Sequence, residues 1–428
     1  MGMGLTRIGL ARIRLARSLI LPLLLAMLAG CAKPAAVTPP WVSPPPGSFF
    51  SAKAEPLSDA DVVKRARPAD FILMGESHTN PCDHTVQARL IEALAQSGHQ
   101  FSIGLEMLPV TTQTVLDEFN ARRIAAADLG EAVNWEKIWG YPYALYKPIF
   151  ELAEKFDLPV IGLNIPRQTL VTFRDKGNEA LSEADRNALP RRIIPASPAQ
   201  KAALEMQVGL HQSMRTATAP GSDAKDAPKD AKVSKAMPGK APSMSAMAEK
   251  FYLVQALWDS IMAEQALAYE GRLNRPMLIL AGSGHVEHGW GIEYRLRTLD
   301  PKAVCLSVMP VRDAEDFKAQ TDTSQRPMPA EQVYFHCAAQ HKSRLGMNIL
   351  FEEKAMRVES VEPGSKADSA GLMAGDVLVE AAGRPLTEAM DLHFAAMAAS
   401  RQNKPLKLTV KRAGQTIALT IPLAAPQD

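Results

Sequence analysis

Short apolar runs alternate with helical periodicities over roughly the first three quarters of the chain. Five apolar runs predict buried strands: Phe71–Met74, Phe101–Leu105, Pro159–Leu163, Met277–Ala281 and Val304–Met309. Apolar residues at helical spacing predict helices at Thr85–Ala95, Thr112–Asn120, Pro148–Phe156 and Ala248–Tyr269. Because this alternation is typical of parallel strands joined by helical crossovers, the pattern predicts an α/β fold with a mostly parallel sheet.

The pattern changes near the C-terminus, where strand-like runs dominate. The predicted strands are Met356–Val361, Asp376–Ala381, Leu406–Lys411 and Thr416–Pro422, and the predicted helices lie near Lys366–Leu372 and at Thr387–Ser400. A small α+β domain over residues 333–424 is therefore expected, after a linker at residues 313–332.

Two stretches lack apolar periodicity. Residues 31–56 are rich in proline, serine and alanine, which predicts a tether. Residues 216–245 mix small, charged and proline residues, and such a composition cannot bury enough apolar surface to order itself. We therefore expect a disordered insert inside a first domain that spans residues 57–312.

The first thirty residues have the pattern of a secretory signal peptide. Four arginines precede the apolar run Leu19–Leu28, which is too short to span a bilayer as a mature helix. The run ends in Leu28-Ala29-Gly30-Cys31, which resembles the lipobox of bacterial lipoproteins. Cys31 is thus the predicted lipidation site. Ala32 follows it in place of aspartate, and the resemblance to other lipoproteins then implies an outer-membrane anchor that faces the periplasm.

Charge and cysteine content restrict the alternatives. Without the four arginines of the signal peptide, the formal charge falls from +2 to −2, which argues against a general nucleic-acid-binding protein. Cys82, Cys305 and Cys337 would remain in an oxidising compartment, where they allow at most one internal disulfide. The sequence does not choose the pair.

Two predicted strands end in the same four-residue pattern. Gly75-Glu76-Ser77-His78 follows the first strand, and Gly282-Ser283-Gly284-His285 follows the fourth. Ligands of open α/β sheets bind at the carboxyl ends of the strands, where glycine permits close approach. The two histidines are therefore expected at one edge of the sheet.

Carboxylates accompany these histidines. Glu76 and Glu106 each follow a strand, so they could join His78 and His285 in a metal site or a catalytic centre. A carboxylate commonly orients a functional histidine, and Asp259 on the last long helix is the candidate for that role. His84 can either line the same cleft or satisfy loop carbonyl groups.

The densest aromatic cluster of the chain lies between Trp135 and Tyr146. Haem needs an apolar slot and an axial ligand such as tyrosine or histidine, so Tyr141 and Tyr146 are candidates. Tyr252, on the helix before the second glycine–histidine pattern, is another. Packing inside the domain or at a dimer contact is the alternative use of these rings.

The first domain resembles the ChaN family of iron-regulated, haem-binding lipoproteins. The resemblance is carried by Gly75–His78 with His84 and Gln87, Gly104–Met107, Trp135, Trp139–Tyr141, Tyr146–Pro148, Gly162–Arg167, Gln255–Ala263 and Gly282–Val286. It implies haem as the cofactor, a dimer with haem at its interface, and a role in haem or iron acquisition. It transfers no axial ligand, so His78, His84, His285, Tyr141, Tyr146 and Tyr252 all stay candidates.

The wider superfamily, which includes Tiki-type metalloproteases and erythromycin esterases, implies an alternative. In that interpretation the protein is a metal-dependent hydrolase in which Glu76, His78, Glu106 and His285 bind a divalent metal and activate water. A scaffold with an inactive ancestral site is a third interpretation.

The C-terminal domain resembles a bacterial PDZ domain. The matching segments are Leu345–Met347, Val361–Ala367 and Ala370–Leu378. The resemblance implies that backbone amides near Leu345, Gly346 and Met347 hold the carboxylate of a partner's C-terminus, while Ile349–Phe351 offers a free strand edge. A module kept for packing or dimerisation is the alternative.

Overall fold

A computed structural model describes residue 1 and residues 44–205, 244–328, 330–343, 345–352, 355–386, 389–402 and 404–423. The predicted signal peptide, the lipidation site Cys31 and most of the predicted tether lie outside the described residues. So does the predicted insert, apart from its last two residues, which belong to a long helix.

Eight strands in the described part of the chain form the first sheet. They are β1 (Phe49–Ser51), β2 (Pro56–Leu57), β3 (Phe71–Glu76), β4 (Ser102–Pro109), β5 (Val160–Asn164), β6 (Met277–Gly282), β7 (Cys305–Val311) and β8 (Glu331–His336). Their order is β2-β1-β8-β7-β3-β6-β4-β5, and every neighbouring pair from β8 to β5 is parallel. The predicted mostly parallel sheet is confirmed, with β1 and β2 added antiparallel at one end.

Helical crossovers connect these strands, as predicted. They are α1 (Asp59–Ala66), α2 (Pro81–Gln96), α3 (Gln113–Asn120), α4 (Ala126–Ala132), α5 (Trp135–Ile138), α6 (Tyr143–Phe156), α7 (Arg167–Lys176), α8 (Glu183–Asn187), α9 (Met244–Leu273), α10 (Ile292–Leu299) and α11 (Ala314–Gln320). None of the described helices has the length and apolar character needed to cross a membrane.

Helix α6 begins five residues before the predicted start at Pro148. The prediction placed Pro148 at the first turn, where proline is best tolerated, but Pro148 lies inside the helix. The earlier start puts Tyr146 on the buried face of the helix.

Strands β3 and β6 lie side by side at the centre of the sheet, and both are buried along their whole length. Their parallel register pairs Phe71 with Met277 and continues without a shift to Glu76 and Gly282. Because the register is in step, the two glycine–histidine patterns begin at the same edge of the sheet.

The first sheet extends beyond the predicted domain limits. Strand β1 lies within the predicted tether. It joins the sheet because the Phe50 ring packs against the rings of Tyr334 and Phe317, whose centroids are 6.1 and 5.4 Å away. Strand β8 crosses the predicted boundary between linker and C-terminal domain. The two buried phenylalanines of β1 and the six residues of β8 are too short a pattern for hydrophobic periodicity to predict either strand.

Seven antiparallel strands in the described residues form the second sheet. They are β9 (Ala339–Ser343), β10 (Met347–Glu352), β11 (Ala355–Val361), β12 (Val377–Ala381), β13 (Arg384–Pro385), β14 (Leu406–Arg412) and β15 (Gln415–Ile421), with helices α12 (Lys366–Ser369) and α13 (Ala389–Arg401). The order is β15-β14-β12-β11-β10-β9, and β13 pairs with β12. Strand β10 therefore has a partner on each side, and the predicted free edge at Ile349–Phe351 is wrong.

One disulfide closes a long loop of the chain. Cys82, in the first turn of α2, is bonded to Cys337, directly after β8, and their Cα atoms are 5.8 Å apart. Cys305 is a buried free thiol. The structure thus chooses one of the three pairings that the sequence allowed.

We expect the double variant Cys82→Ser/Cys337→Ser to be less stable by about 2–4 kcal/mol, because the disulfide restricts the unfolded chain. Thermal unfolding with and without a thiol reductant measures this. Reductant should lower the melting temperature of the wild type and of the control Cys305→Ala, and leave the double variant unchanged. A wild type that is insensitive to reductant would contradict the prediction.

Candidate functional site

The Glu76 carboxylate lies buried at the carboxyl end of β3 and is surrounded by hydrogen-bond donors. Its Oε1 accepts from the Tyr146 hydroxyl at 2.5 Å and lies 2.8 Å from His78 Nδ1. Its Oε2 accepts from Gln87 Nε2 at 2.7 Å. Burial and the neighbouring Glu76 carboxylate raise the pKa of Tyr146, so its phenol stays protonated and donates.

His84, in the second turn of α2, contacts this carboxylate. Its Nδ1 lies 2.9 Å from Gln87 Oε1 and 3.5 Å from Glu76 Oε2, and its Nε2 lies 3.3 Å from the backbone oxygen of His78. The ring packs against Tyr146 with centroids 4.3 Å apart. Both nitrogens are engaged in a buried network, which is a positioning role.

A second carboxylate–histidine pair lies beside the first. The Gly282 amide donates to Glu106 Oε2 at 2.6 Å, and Glu106 Oε1 lies 3.3 Å from His285 Nε2. His285 Nδ1 lies 2.6 Å from Asp259 Oδ1 and 3.1 Å from Gln255 Nε2. The structure therefore brings the predicted orienting residue, Asp259, to His285.

Two residues that sequence reasoning missed complete this chain of contacts. Arg295, fully buried on α10, lies 3.3 Å from Asp259 Oδ2 through Nη1 and donates to Gln200 Oε1 at 2.7 Å. Gln200 Nε2 donates to the same Asp259 oxygen at 3.2 Å. A fully buried arginine is rare unless it is paired with an acid. The sequence alone does not show which acid that is.

Paired charges set the ionisation of this network. Burial alone would lower the pKa of His285, but the Glu106 and Asp259 carboxylates outweigh it and raise that pKa. Burial would likewise raise the pKa of Glu106, yet His285 lowers it. The stable form is thus a buried imidazolium between two carboxylates, with Arg295 behind the outer one.

His78 is the accessible histidine of the site. Its side chain is 25% exposed, and its ring lies 4.7 Å from the ring of Trp139 and 5.3 Å from that of Tyr141. Trp139 and Tyr141 are also partly exposed. We call His78, Trp139 and Tyr141 the aromatic patch.

Gly282 makes room for the His78 ring. A Cβ atom at Gly282 would lie 2.8 Å from His78 Cε1, which is closer than real side chains approach. The glycine of the second sequence pattern therefore positions the histidine of the first.

The loop that carries His78 is fastened by a second set of residues that the sequence did not reveal. Arg312, after β7, donates through Nη1 and Nη2 to both oxygens of the buried Asp83 carboxylate, at 2.8 and 2.6 Å. Asp83 Oδ2 in turn accepts from the Ser77 amide at 2.8 Å. This bidentate pair holds the start of α2 against the end of β7.

The predicted cofactor residues divide into three groups. His84, His285 and Tyr146 are buried, and their polar atoms contact side chains of the network or, for His84 Nε2, a backbone oxygen. Tyr252 lies beneath the ammonium group of Lys201, 5.6 Å from its ring centroid. His78 and Tyr141 are partly exposed at the aromatic patch.

The proposed metal ligands pair with one another. Among the residues that the structure describes, no group of three or more His, Cys, Asp and Glu side chains is arranged to hold a metal ion. Glu76 and His78 form one pair and Glu106 and His285 the other, so each carboxylate is already used by protein donors.

The aromatic patch fits haem in its chemistry. Its rings offer partly exposed apolar surface, and imidazole and phenol are both known axial ligands of haem iron. Glu76 occupies Nδ1 of His78, which leaves Nε2 for a ligand, and a carboxylate behind a ligating histidine is a common arrangement.

Comparison with known proteins identifies the two domains. The family model for haem-binding uptake, Tiki superfamily, ChaN matches residues 62–296. Because this match covers more than half of the chain, the protein belongs to the ChaN haem-binding family. A PDZ domain model matches residues 357–412, so the chain also carries a PDZ domain. Both resemblances inferred from the sequence are confirmed.

Three solved structures illustrate what the chain is similar to. ChaN of Campylobacter jejuni, described with cofacial heme binding, is 18% identical, with 67% of this chain and 95% of that chain covered and a TM-score of 0.47. The HtrA3 PDZ domain bound to a phage-derived ligand (FGRWV) is 29% identical over 17% of this chain and 62% of that chain, with a TM-score of 0.15.

An erythromycin esterase mutant in its open conformation is 12% identical, over 60% of this chain and 74% of that chain, with a TM-score of 0.32. No curated protein matches the sequence.

The ionised His285 network predicts a pH dependence of stability. Folded His285 keeps its proton up to a pKa of about 10, whereas the unfolded residue loses it near the ordinary value of 6.5. The stabilisation is therefore complete below pH about 6.5 and falls by at most about 1.4 kcal/mol per pH unit above it.

His285→Gln should remove this decline and cost about 3 kcal/mol at pH about 6.5, because two buried carboxylates lose their cation. Urea unfolding at several pH values measures both effects. His393→Gln, at an exposed position of α13, is the control and should keep the wild-type slope. A slope that persists in His285→Gln would contradict the prediction.

Proposed function

We propose that this protein binds haem at the aromatic patch and serves haem or iron acquisition. Membership in a haem-binding family supports the first part. The observation that carries the location is the partly exposed His78 ring between Trp139 and Tyr141, backed by the buried Glu76 carboxylate. Bound haem supplies an iron that takes axial ligands from protein side chains.

His78 Nε2 or the Tyr141 hydroxyl would hold the haem iron. These two side chains are accessible, whereas using His285 or Tyr146 would break buried hydrogen bonds to carboxylates. Using His84 would break its buried bonds to Gln87 and to the His78 backbone oxygen. Breaking a hydrogen bond to a buried charge costs about 1.5–3 kcal/mol, which disfavours the buried candidates. The Tyr141 backbone is held in place, because its oxygen accepts from Trp135 Nε1 at 2.8 Å.

The hydrolase alternative has less support from the geometry. A general base needs a carboxylate or imidazole that is free to take a proton from water. Glu76 already accepts from Tyr146 and Gln87 and contacts His78, and Glu106 accepts from the Gly282 amide. These hydrogen bonds favour a structural role for the two buried carboxylate–histidine pairs, which is to hold the aromatic patch in position.

We infer that the protein is anchored in the outer membrane through Cys31 and faces the periplasm. The lipobox-like Leu28–Cys31 supports the anchor. The Cys82–Cys337 disulfide supports an oxidising compartment, since disulfides are rare in the bacterial cytosol. A dimer with haem at its interface is proposed as well, because the resemblance to the ChaN family implies it.

We also infer that the PDZ domain recruits a protein partner by its C-terminus. The match to a PDZ family supports this function. The backbone amides of Leu345 and Gly346 lie in the loop between β9 and β10, and that of Met347 begins β10; the carboxylate of the partner would bind there.

Titration with haemin should give a saturable Soret band in the wild-type protein. Substitution of the axial ligand, by His78→Ala or Tyr141→Phe, should shift that band and weaken binding by at least about tenfold, as loss of metal contacts generally does. Tyr252→Phe is the control and should bind haemin like the wild type. Light scattering with and without haemin tests the dimer. Without a saturable band, the haem proposal fails.

Gly282→Ala should weaken haemin binding without touching the patch directly, because the added methyl group displaces the His78 ring. Gly284→Ala adds the same methyl group two residues later, where no atom lies within 4 Å, and should have no effect. Equal affinities of the two variants would show that the His78 position is unimportant.

A further inference from the structure

The edge of β10 that a PDZ ligand would extend is occupied by the chain itself. Strand β9 pairs antiparallel with β10 from Ser343 opposite Met347 to Ala339 opposite Phe351. Strand β11 pairs with the other side of β10. A peptide that pairs with this edge of β10 must therefore take the place of β9.

The carboxylate cradle is occupied as well. The Gly346 amide donates to the backbone oxygen of Ser343 at 3.0 Å, and the Leu345 amide donates to the Ser343 hydroxyl at 3.2 Å. Two of the three amides predicted to hold a partner's carboxylate thus already bind oxygen atoms of one residue. Ser343 is the last residue of β9.

The polarity of β9 matches that of a bound C-terminus. In β-strand addition to a PDZ domain, the peptide runs antiparallel to the domain strand and ends at the amide cradle. Strand β9 runs antiparallel to β10 and ends at Ser343, beside Leu345 and Gly346. Gly346, at φ +86°, allows the chain to turn there and continue into β10.

We propose that β9 is an internal ligand of the PDZ domain, which a partner's C-terminal peptide must displace. The proposal rests on the peptide-recruiting function inferred above. On a three-residue loop β9 acts at a high effective concentration, so it weakens every competing peptide. Strand β9 carries no large apolar side chain. A partner's C-terminus that ends in a large apolar residue can therefore displace β9.

The N-terminal end of β9 is fixed to the haem-binding domain. Cys337, two residues before β9, is joined to Cys82, and its backbone oxygen accepts from Arg312 Nη1 at 3.0 Å. The next oxygen, of Ala338, accepts from Asn80 Nδ2 at 2.9 Å. These contacts limit displacement to the segment between Ala338 and β10.

The backbone geometry of β9 provides a matched pair of variants. The N–H and C=O groups of a strand residue point to the same side, and this side alternates along the strand. Since the Ser343 oxygen faces the β10 side, the His341 N–H faces β10 and the Lys342 N–H faces away. His341→Pro therefore removes a bond to β10, whereas Lys342→Pro does not.

The test measures binding of the peptide FGRWV, with a free or an amidated C-terminus, to the full chain and both proline variants. His341→Pro should bind the free-carboxyl peptide about tenfold tighter than the wild type, the equivalent of one ladder hydrogen bond. Lys342→Pro should match the wild type. Hydrogen exchange should be faster in β10 of His341→Pro alone.

If hydrogen exchange shows that His341→Pro has freed β10, and the variant still binds the peptide no more tightly than the wild type, the internal-ligand proposal is overturned. Peptide recruitment would stand in that case. If the opened variant binds neither peptide, both the proposal and peptide recruitment fail. Should His341→Pro not fold, Ser343→Ala replaces it. Loss of the hydroxyl leaves the Leu345 amide unbonded unless a peptide binds, so affinity should rise about threefold. An unchanged affinity of that variant would overturn the proposal too.

Discussion

The buried Glu76 carboxylate is the constraint on which the haem-binding domain depends. A carboxylate without water must be surrounded by donors, and Glu76 obtains them from α2, α6 and its own loop. These contacts with Glu76 fix the positions of the Tyr146, Gln87 and His78 side chains together. The aromatic patch is thus placed by the need to satisfy one buried charge.

The second carboxylate pair repeats this logic on the neighbouring strands. Glu106, His285 and Asp259 alternate in charge, and Arg295 completes the series. Because β3 and β6 run in register, both networks meet at Gly282, whose missing side chain gives space to His78. A rigid, ionised interior thereby supports a single accessible imidazole.

Local patterns predicted the parts of this arrangement that are local. Apolar runs ending in glycine marked β3 and β6, and the place of Asp259 on a long helix marked it as a partner for His285. Arg295 and Arg312 escaped prediction because their acids lie 36 and 229 residues away, and nothing in the sequence links them. Strand β9 escaped because Ala-Gln-His-Lys-Ser lacks an apolar alternation, and a hairpin partner alone determines its structure.

The disulfide gives the protein a closed covalent circuit. Residues 83–336 lie between its two cysteines, and the stretch of small, charged and proline residues that separates the two glycine–histidine patterns falls within this span. A protease that cuts the backbone once anywhere in the circuit leaves both fragments joined by sulfur. The two halves of the first sheet, and the PDZ domain behind them, therefore remain one molecule after such a cut.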